Sequence, residues 1–389
     1  MSHQVKVVHM TTAGTAASRL ILNQCLFLRQ QGYRVSFVFS PGEEVAELTA
    51  LGFPVYAVPI ARKISPLKDL VSICRLTKLL RTLKPVIVHT HTSKAGIAGR
   101  IAARLAGVPV VFHTAHGFPF HAGMPPATVK MYELLEKFCA RLSTVVFSQS
   151  REDVDTAEKK GITSRTGGLI YLGNGILLDR FHPDLLQDRE KDRLKEKLGI
   201  KPGEVVLITV ARLNAVKGYR DLITAAGLLP NRGWKLLCVG EDEGEGAKIA
   251  ALIQRLQLAD RVQLLGKRKD VPALLAIADI YVLASYREGI PRSVIEAQAM
   301  GLPAVVTDVR GSREVVRHGE TGLIVPPKDS KSLAEALRQL LQDPSLRQKL
   351  GQAGRAVVLQ EFDEHRVFQR LLAVYQKYAA SGLTTGGLR

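Results

Sequence analysis

The sequence has few cysteines and few aromatic residues. Its four cysteines each stand alone in an apolar segment, without the close pairs that zinc sites and redox motifs require. We therefore expect buried free thiols. Aromatic residues make up 6% of the chain, and no segment interleaves them with basic residues as nucleic-acid-binding modules do. These shortages argue against a cysteine-held metal or redox site and against a nucleic-acid-binding protein.

Long apolar runs are also lacking. No run approaches the roughly 18 apolar residues that a membrane-spanning helix needs. The N-terminus does not have the apolar segment of a signal peptide, because QVKVVHM is typical of a buried strand. We expect a cytoplasmic protein.

Acidic residues are outnumbered by basic ones, and the imbalance is concentrated near the N-terminus. The formal net charge is +18, and residues 1–141 hold 17 Lys and Arg against 6 Asp and Glu. Between Arg62 and Arg104, ten basic residues accompany one acid, Asp69. Such a patch can attract polyanions or an anionic membrane surface. A solvated helix face would give the same pattern.

Short apolar runs alternate with longer amphipathic segments along the whole chain. In the first half we predict strands at 4–10, 34–39, 54–58, 86–89, 110–114, 144–148 and 168–172. In the second half we predict strands that begin near residues 204, 234, 261, 279, 303 and 322. Apolar strands separated by helices indicate parallel sheets covered on both faces. The predicted fold class is α/β, with two doubly wound Rossmann-like domains.

The domain boundary is expected in the turn-rich segment GNGILLDRFHPD. We assign residues 1–175 to the first domain and 176–361 to the second. A terminal helix at about 362–378 is expected to pack back on the first domain, with a flexible tail at 379–389. Ligands of open α/β sheets bind beyond the carboxyl ends of the strands. With two such domains facing each other, a cleft between them is the expected site.

The stretch REGIPRSVIEAQAMGLP, which begins at Arg287, places acids and arginines at a predicted helix start. Pro291 suits the first turn of a helix, and a helix N-terminus at a cleft can bind an anion. Arg287 and Arg292 would add positive charge, so we expect a phosphate or diphosphate there. Glu288 and Glu296 would accept hydrogen bonds from hydroxyl groups of the same ligand, as in a nucleotide sugar. Acids that only stabilise the helix start remain the alternative.

A second pair of cations lies in ARLNAVKG, directly after the predicted strand VVLITV. Arg212 and Lys217, followed by Gly218 for a close turn, suit a clamp on a diphosphate. Two surface cations would give the same pattern.

Two further strand ends in the first half carry polar residues. FHTAHGFPFH holds His113, His116 and His121, and HTHTSKAG holds Thr90, Ser93 and Lys94. A histidine with a pKa near 6.5 could donate to a sugar hydroxyl or to a phosphate at neutral pH. No carboxylate or cysteine accompanies the three histidines, so a metal site is not expected.

Together, RLNAVKG and REGIPRSVIEAQAMGLPAVVTDVRGSREVVRHGETGLIVPP resemble the donor-binding domain of the family 4 glycosyltransferases, which are retaining enzymes of GT-B fold. GNGILLDRF resembles the domain junction of that family, and the similarity covers nearly the whole chain. HTHTSKAG with HGFPFH resembles bacterial hexosaminyltransferases that build capsule, exopolysaccharide or O-glycan repeats on polyprenyl diphosphate carriers.

The resemblance implies a role for each candidate residue. Arg212 and Lys217 would hold the donor diphosphate, Glu296 would accept from the ribose, and Glu288 and His116 would contact the transferred sugar. Further donor contacts would come from Gly14, Gly266, Arg268, Gly289, Ile290, Pro291 and Arg292. Acceptor contacts would come from Thr90, Ser93, Lys94, His113 and His121, with His113 also a competitor for the role of His116. The family often has two adjacent glycines where this chain has Gly14 and Thr15.

The resemblance also implies an enzyme without a metal or other cofactor. Asp153 and Asp155 form an Asp-x-Asp triplet of the kind that binds metal in GT-A enzymes, but they lie in a polar helical segment, where we expect a solvated helix start. Arg212 and Lys217 would instead stabilise the leaving diphosphate.

The expected reaction is retaining transfer of a hexose or N-acetylhexosamine from a nucleoside diphosphate sugar, expected to be a UDP-sugar. The expected acceptor is a saccharide on polyprenyl diphosphate, reached by peripheral association with the inner face of the cell membrane. A UDP-N-acetylhexosamine 2-epimerase-like GT-B enzyme and a basic polyanion- or nucleic-acid-binding protein are the alternatives.

Overall fold

The computed structural model describes residues 4–61, 65–120 and 124–385. The chain divides into two compact units. The N-terminal unit comprises Met1–Gly173 and Val367–Arg389, and the C-terminal unit comprises Asn174–Arg366.

The N-terminal unit contains a parallel sheet with the strand order β3-β2-β1-β4-β5-β6-β7. Its strands are β1 Lys6–Ala13, β2 Arg34–Ser40, β3 Val55–Ala57, β4 Ile87–His91, β5 Val110–Ala115, β6 Val145–Ser148 and β7 Ile170–Tyr171. Its helices are α1 Gly14–Ala16, α2 Leu22–Gln30, α3 Glu44–Ala50, α4 Pro66–Leu83, α5 Ser93–Leu105, α6 Pro126–Arg141 and α7 Arg151–Lys160, with a π-helical turn at Ala17–Ile21.

The C-terminal unit contains a parallel sheet with the order β10-β9-β8-β11-β12-β13. Its strands are β8 Val205–Val210, β9 Trp234–Val239, β10 Val262–Gly266, β11 Ile280–Leu283, β12 Ala304–Thr307 and β13 Gly322–Val325. The helices from here to the C-terminus are α8 Asp188–Lys197, α9 Tyr219–Ala226, α10 Gly246–Arg255, α11 Val271–Ala276, α12 Arg292–Ala299, α13 Ser312–Val315, α14 Ser330–Gln342, α15 Pro344–Glu361 and α16 Glu364–Thr385.

Each apolar run predicted as a strand contains one. The inner strands are buried on both faces, as the burial of β9, β11 and β12 shows, which explains why their sequences are mostly apolar rather than alternating. Strand β4, IVHTH, is equally buried but carries polar side chains. In both sheets the strand order reverses at one point, between β1 and β4 and between β8 and β11. The loops at the carboxyl ends of these central strands are the places where such folds bind ligands.

One face of helix α16 is buried in the apolar core of the N-terminal unit. Val367, Phe368, Leu371, Leu372 and Tyr375 are buried in the same apolar cluster as residues of β1, β2, β4 and β5. Their spacing of three and four residues puts them on one side of the helix. The helix continues to Thr385, beyond the predicted end near residue 378, and residues 386–389 lie outside the described part of the chain.

The cysteines are free, as predicted, but they are not all buried. Cys25, Cys139 and Cys238 are buried, whereas Cys74 is exposed on α4. The prediction of burial was wrong for Cys74 because α4 exposes one apolar face that includes Leu67, Leu70 and Val71. None of the helices described is long and apolar enough to cross a bilayer.

Candidate active site

The central feature of the C-terminal unit is an ion pair between two loops that follow neighbouring strands. Lys217 Nζ lies 2.6 Å from Glu288 Oε1, and both side chains are largely buried. Lys217 ends a short 3-10 turn after β8, and Glu288 lies between β11 and α12. The Tyr286 amide donates to the Val216 carbonyl at 2.8 Å and ties the two loops together. The strand order therefore brings a cation and an acid that are 71 residues apart into direct contact.

Two glycines allow these loops to approach closely. Gly218 has a φ of +65°, and a Cβ there would lie 1.9 Å from the Ala284 carbonyl oxygen. A Cβ on Gly311, after β12, would lie 1.1 Å from the Gly289 oxygen. The glycine-rich run after PAVVTD thus supports the backbone of the loop that carries Glu288.

Arg212 lies in the same loop as Lys217 but has a different partner. Its Nη1 is 2.6 Å from Glu243 Oε1. Asn214 donates to the other Glu243 oxygen at 2.8 Å, and its own oxygen accepts from the Val216 amide. Glu243 therefore orients both Arg212 and Asn214. No local sequence pattern predicted this role for Glu243, which stands 31 residues from Arg212.

Helix α12 begins one residue later than its proline suggested. Pro291 occupies the N-cap position rather than the first turn, and no side chain among the described residues caps this end. The Val294 amide donates to the Pro291 carbonyl at 3.0 Å, and the amides of Arg292 and Ser293 are left for a ligand or water. The Arg292 guanidinium lies 3.5 Å from Glu364 Oε1, while Arg287 is exposed. Arg292 is therefore partly neutralised and would add less charge to an anion site than expected.

Glu296 lies in the middle of α12, and its carboxyl group is a weaker acid than usual. Its burial raises its pKa to about 7, although the Arg292 and Arg180 charges act in the opposite direction. A carboxyl group poised near neutrality becomes more acidic when hydroxyl groups donate to its ionised form. This environment suits an acceptor for a diol.

The loop after β10 contains the two residues expected near a base. Gly266 ends the strand with a φ of +64°. The Arg268 guanidinium binds Asp270 through two bonds of 2.8 and 2.6 Å, which raises the pKa of Arg268. These two bonds occupy the Arg268 Nε and one hydrogen of Nη2. Only the backbone of this loop and the remaining Arg268 donors are therefore available to contact a base.

In the N-terminal unit, Gly14 connects β1 to α1 and is buried. The position of a Cβ on Gly14 is filled by Glu44 of α3, at 2.6 Å. The absence of a side chain at Gly14 thus accommodates Glu44.

Ser93 is the first residue of α5, and the Thr12 hydroxyl accepts from the Ala95 amide in the first turn of that helix, at 3.2 Å.

Three of the polar residues expected to contact an acceptor are held by protein partners. The Thr90 hydroxyl bonds His113 Nδ1 at 2.9 Å, and both residues are buried. A Cβ on Gly96 would lie 2.6 Å from the His113 ring, so this ring fills the space above the glycine. Lys94 Nζ lies 2.5 Å from Asp69. These contacts favour structural roles for Thr90 and His113 and reduce the charge that Lys94 offers.

His116 differs from His113 because it is only partly buried and lies just beyond the end of β5. Its Nδ1 is 3.0 Å from Gln149 Oε1, and its Nε2 is 3.3 Å from His91 Nδ1. The third histidine of this segment, His121, lies outside the described residues.

The expectation of a solvated helix start at Asp153 was wrong. Asp153 is fully buried, and its Oδ2 accepts from the Phe118 amide at 3.1 Å. Ser150 caps the same helix by accepting from the Asp153 amide. Asp153 therefore anchors the segment that follows His116, whereas Asp155 is exposed on the same helix, as expected.

Sequence reasoning overlooked a histidine cluster although a signal was present. His89 and His91 alternate along β4 and therefore share one face of the sheet, and His9 lies opposite His89 on β1. The signal was the i, i+2 spacing of His89 and His91 in VHTHTSKAG, which predicts that both rings lie on the same face of the strand.

Two family models match the chain. The model "Glycosyl transferases group 1" matches residues 190–357, and the model "Glycosyl transferase 4-like domain" matches residues 15–173. The two matches divide the chain much as its two compact units do.

Curated relatives and solved structures agree with these models. The chain is 31% identical, over 88% of its length and 89% of theirs, to an Escherichia coli UDP-Gal:alpha-D-GlcNAc-diphosphoundecaprenol alpha-1,3-galactosyltransferase. It is 28% identical, over 96% of its length and 97% of theirs, to the Staphylococcus aureus capsular polysaccharide biosynthesis glycosyltransferase CapM. Its fold matches Anabaena HepE in complex with UDP and glucose, with a TM-score of 0.82, 21% identity and coverage of 96% of this chain and 100% of that one. The chain belongs to the family 4 glycosyltransferases, and its two α/β units have the Rossmann-like form of the GT-B fold.

Proposed function

We propose that this glycosyltransferase moves a hexose or N-acetylhexosamine from a UDP-sugar to a hydroxyl group of a saccharide carried on polyprenyl diphosphate. The observation that carries the donor half is the contact between Lys217 and Glu288. It places a cation suited to a diphosphate next to an acid suited to sugar hydroxyls. Membership of the family favours this reaction over the epimerase and polyanion-binding alternatives.

Lys217 and Arg212 act on the leaving diphosphate. The Lys217 ammonium has three donors and gives one to Glu288. Arg212 is half exposed and retains most of its five donors beside Glu243. As the bond to the sugar breaks, charge that develops on the diphosphate meets these donors and the amides of Arg292 and Ser293 at the start of α12. Such preorganised stabilisation is usually the largest catalytic contribution.

Retention of configuration and independence from metal belong to the same proposal. Glu288 is held by Lys217, which makes it a poor covalent nucleophile, so the acceptor attacks from the face that the diphosphate leaves. The donor phosphate then takes the acceptor proton. Arg212 and Lys217 take the role that Mg²⁺ has in metal-dependent transferases.

The acceptor proposal rests on the relatives. The Escherichia coli enzyme is named for transfer of galactose to a diphosphoundecaprenol-linked sugar, and the Staphylococcus aureus protein for capsular polysaccharide biosynthesis. The sequence segments around His116 also resemble enzymes that use polyprenyl diphosphate carriers.

Nucleotide binding tests the donor half. We expect UDP to raise the melting temperature in the presence of EDTA, whereas GDP, ADP and TDP do so less. A ligand at 100 times its dissociation constant adds about 2.7 kcal/mol to the free energy of unfolding. Transfer from UDP-hexoses and UDP-N-acetylhexosamines to a polyprenyl-diphosphate sugar is then followed by mass spectrometry. A UDP shift that EDTA abolishes would contradict metal independence, and no shift with any nucleotide would contradict the donor site.

A peripheral membrane position would give access to such an acceptor. The predicted basic patch is smaller than the sequence suggested, because Arg100 is buried and Lys94 pairs with Asp69. Arg62 and Lys63 lie outside the described residues. The basic residues that stay exposed on α4 and at its C-cap are Lys68, Arg75, Lys78, Arg81 and Lys84.

Helix α6 carries a second exposed face that combines apolar and basic side chains. Met131, Leu134 and Phe138 are about half exposed, at 47%, 55% and 55%, and Lys130 and Arg141 lie beside them. Spacings of three and four residues put these side chains on one side of the helix. Both α4 and α6 pack against α5. Apolar side chains flanked by cations are typical of helices that lie in an anionic membrane interface.

We expect Leu134→Ser with Phe138→Ser to weaken binding to phosphatidylglycerol vesicles at least tenfold in a sedimentation assay. Lys130→Ala with Arg141→Ala should have a similar effect, because each cation contributes about 1 kcal/mol near an anionic surface, and only this electrostatic part should fall with added salt. Leu228→Ser, at a position 47% exposed in the C-terminal unit, is the control and should bind as the wild type does. Equal binding by all variants would contradict membrane association through α6.

A further inference from the structure

A chain of hydrogen-bonded side chains runs through the sheet of the N-terminal unit and includes His116. Its first link joins Gln149 Oε1 to His116 Nδ1 at 3.0 Å. Three more links join His116 Nε2 to His91 Nδ1 at 3.3 Å, His91 Nε2 to His9 Nδ1 at 3.0 Å, and His9 Nε2 to the Tyr375 hydroxyl at 3.4 Å. The chain therefore connects the loop after β6 to helix α16.

A branch begins at Tyr375. Its hydroxyl lies 2.7 Å from His89 Nδ1, and His89 Nε2 lies 2.7 Å from the Thr114 hydroxyl. His9, His89 and His91 are fully buried. Burial lowers the pKa of His9 to about 3 and lowers the pKa values of His89 and His91 below the usual range, so these rings are neutral near pH 7.

Neutrality imposes a direction on the chain. A neutral imidazole has one N–H and one acceptor nitrogen, so each ring must donate on one side and accept on the other. The Gln149 oxygen can only accept, and His116 must therefore carry its hydrogen on Nδ1. With His116 in its neutral form, its Nε2 then accepts from His91, His91 accepts from His9, and His9 accepts from the Tyr375 hydroxyl. The reverse order would place a ring lone pair against the Gln149 oxygen.

We propose that Gln149 is a positioning residue that, with this chain, holds His116 with its hydrogen on Nδ1 and its lone pair on Nε2. The proposal rests on the function above and on the role that the family resemblance implies for His116, which is contact with the transferred sugar. His116 then accepts a hydrogen bond from a sugar hydroxyl instead of donating one. The link between His116 and His91, at 3.3 Å, is the longer of the two ring–ring links. A substrate hydroxyl would replace this link.

A metal ion is the competing explanation for three of these rings. Ligand nitrogens of His9, His89 and His91 lie within 4.8 Å of one another. However, His89 already uses one nitrogen on Tyr375 and the other on Thr114, and His9 and His91 share a bond of 3.0 Å. The hydrogen-bonded chain accounts for every one of these nitrogens, whereas a metal would have to displace several of the bonds.

The tautomers can be read directly by NMR of the full chain labelled with ¹⁵N-histidine. We expect His9, His89, His91 and His116 all to carry hydrogen on Nδ1, although an unconstrained imidazole favours Nε2. Gln149→Leu should release His116 toward the Nε2–H form, and Gln149→Glu, which keeps an acceptor, should preserve the Nδ1–H form. An Nε2–H form of His116 in the wild type would overturn the proposal, as would one zinc ion per chain bound to these rings.

Kinetics then tests the link to function. We expect Gln149→Leu to lower kcat/KM about tenfold at an unchanged melting temperature, and Gln149→Glu to remain within threefold of the wild type. Gln149 is partly exposed, so both variants should fold. Equal activity of Gln149→Leu and the wild type would overturn the positioning role. Absence of transfer in the wild type would count against the proposed function instead. The NMR result would still test the direction of the hydrogen-bonded chain and the role of Gln149 in it.

Discussion

Replacing Lys217 with alanine is expected to lower kcat/KM at least 100-fold and to abolish stabilisation by UDP. The Lys217 ammonium is largely buried in the loop after β8, at 18% exposure, and it neutralises Glu288 at 2.6 Å. Its removal takes away a donor to the leaving diphosphate and leaves an unpaired negative charge where that diphosphate should bind. Loss of a single preorganised donor typically costs a factor of 10² to 10³ in rate, which is about 2.7–4 kcal/mol.

A matched lysine provides the control for this experiment. Lys248 forms a similar pair with Glu245 at 2.7 Å, but it is 73% exposed on α10. Exposed pairs contribute little, so Lys248→Ala should keep the activity, the melting temperature and the UDP shift of the wild type. If Lys217→Ala retained activity within threefold of the wild type, Lys217 could not be the principal partner of the leaving group.

Gly311→Ala is expected to raise the KM for the donor sugar at least tenfold and to lower the free energy of unfolding by about 1–3 kcal/mol, as overpacking does. The new methyl group would lie 1.1 Å from the Gly289 oxygen. Backbone cannot rotate away as a side chain can, so the loop from Glu288 to the start of α12 must move. Gly311 has a φ of −44°, which alanine adopts readily, so the effect comes from the contact and not from backbone strain.

The control for this variant is Gly168→Ala. A Cβ on Gly168 would have no atom within 4 Å, and its φ lies outside the left-handed region. We expect it to bind UDP and to melt as the wild type does. Donor titrations and thermal melts of both variants decide the matter, and equal donor affinity in the two would show that the Glu288 loop does not depend on Gly311.

Much of the architecture could be predicted because it follows from local patterns. Runs such as VVLITV and IYVLAS are apolar because central parallel strands are buried on both faces, and each became the strand expected, β8 and β11. The positions of Lys217 and Glu288 just after these strands then followed from chain order alone. Motif resemblance supplied the family, since the paired loops retain recognisable spacing within short stretches.

The state of each charged or polar group could not be predicted in this way. Lys94, Arg100 and Arg292 counted equally as cations in the sequence. In the structure, however, Lys94 pairs with Asp69, Arg100 is buried, and Arg292 lies beside Glu364. Asp153 was expected in solvent because its helix is polar, but its carboxylate is buried and accepts a hydrogen bond from the Phe118 amide. Such outcomes depend on partners that local periodicity does not reveal.

The sequence by itself therefore determined the strands, the two sheets, the family and the loops that carry the candidate residues, because these depend on residues close together in the chain. Only the tertiary structure decided which groups meet. Lys217 and Glu288 are 71 residues apart, and Tyr375 reaches His9 across 366 residues. Protonation, tautomer and charge depend on these distant contacts, since burial and hydrogen-bond partners set them, and both are properties of the folded chain.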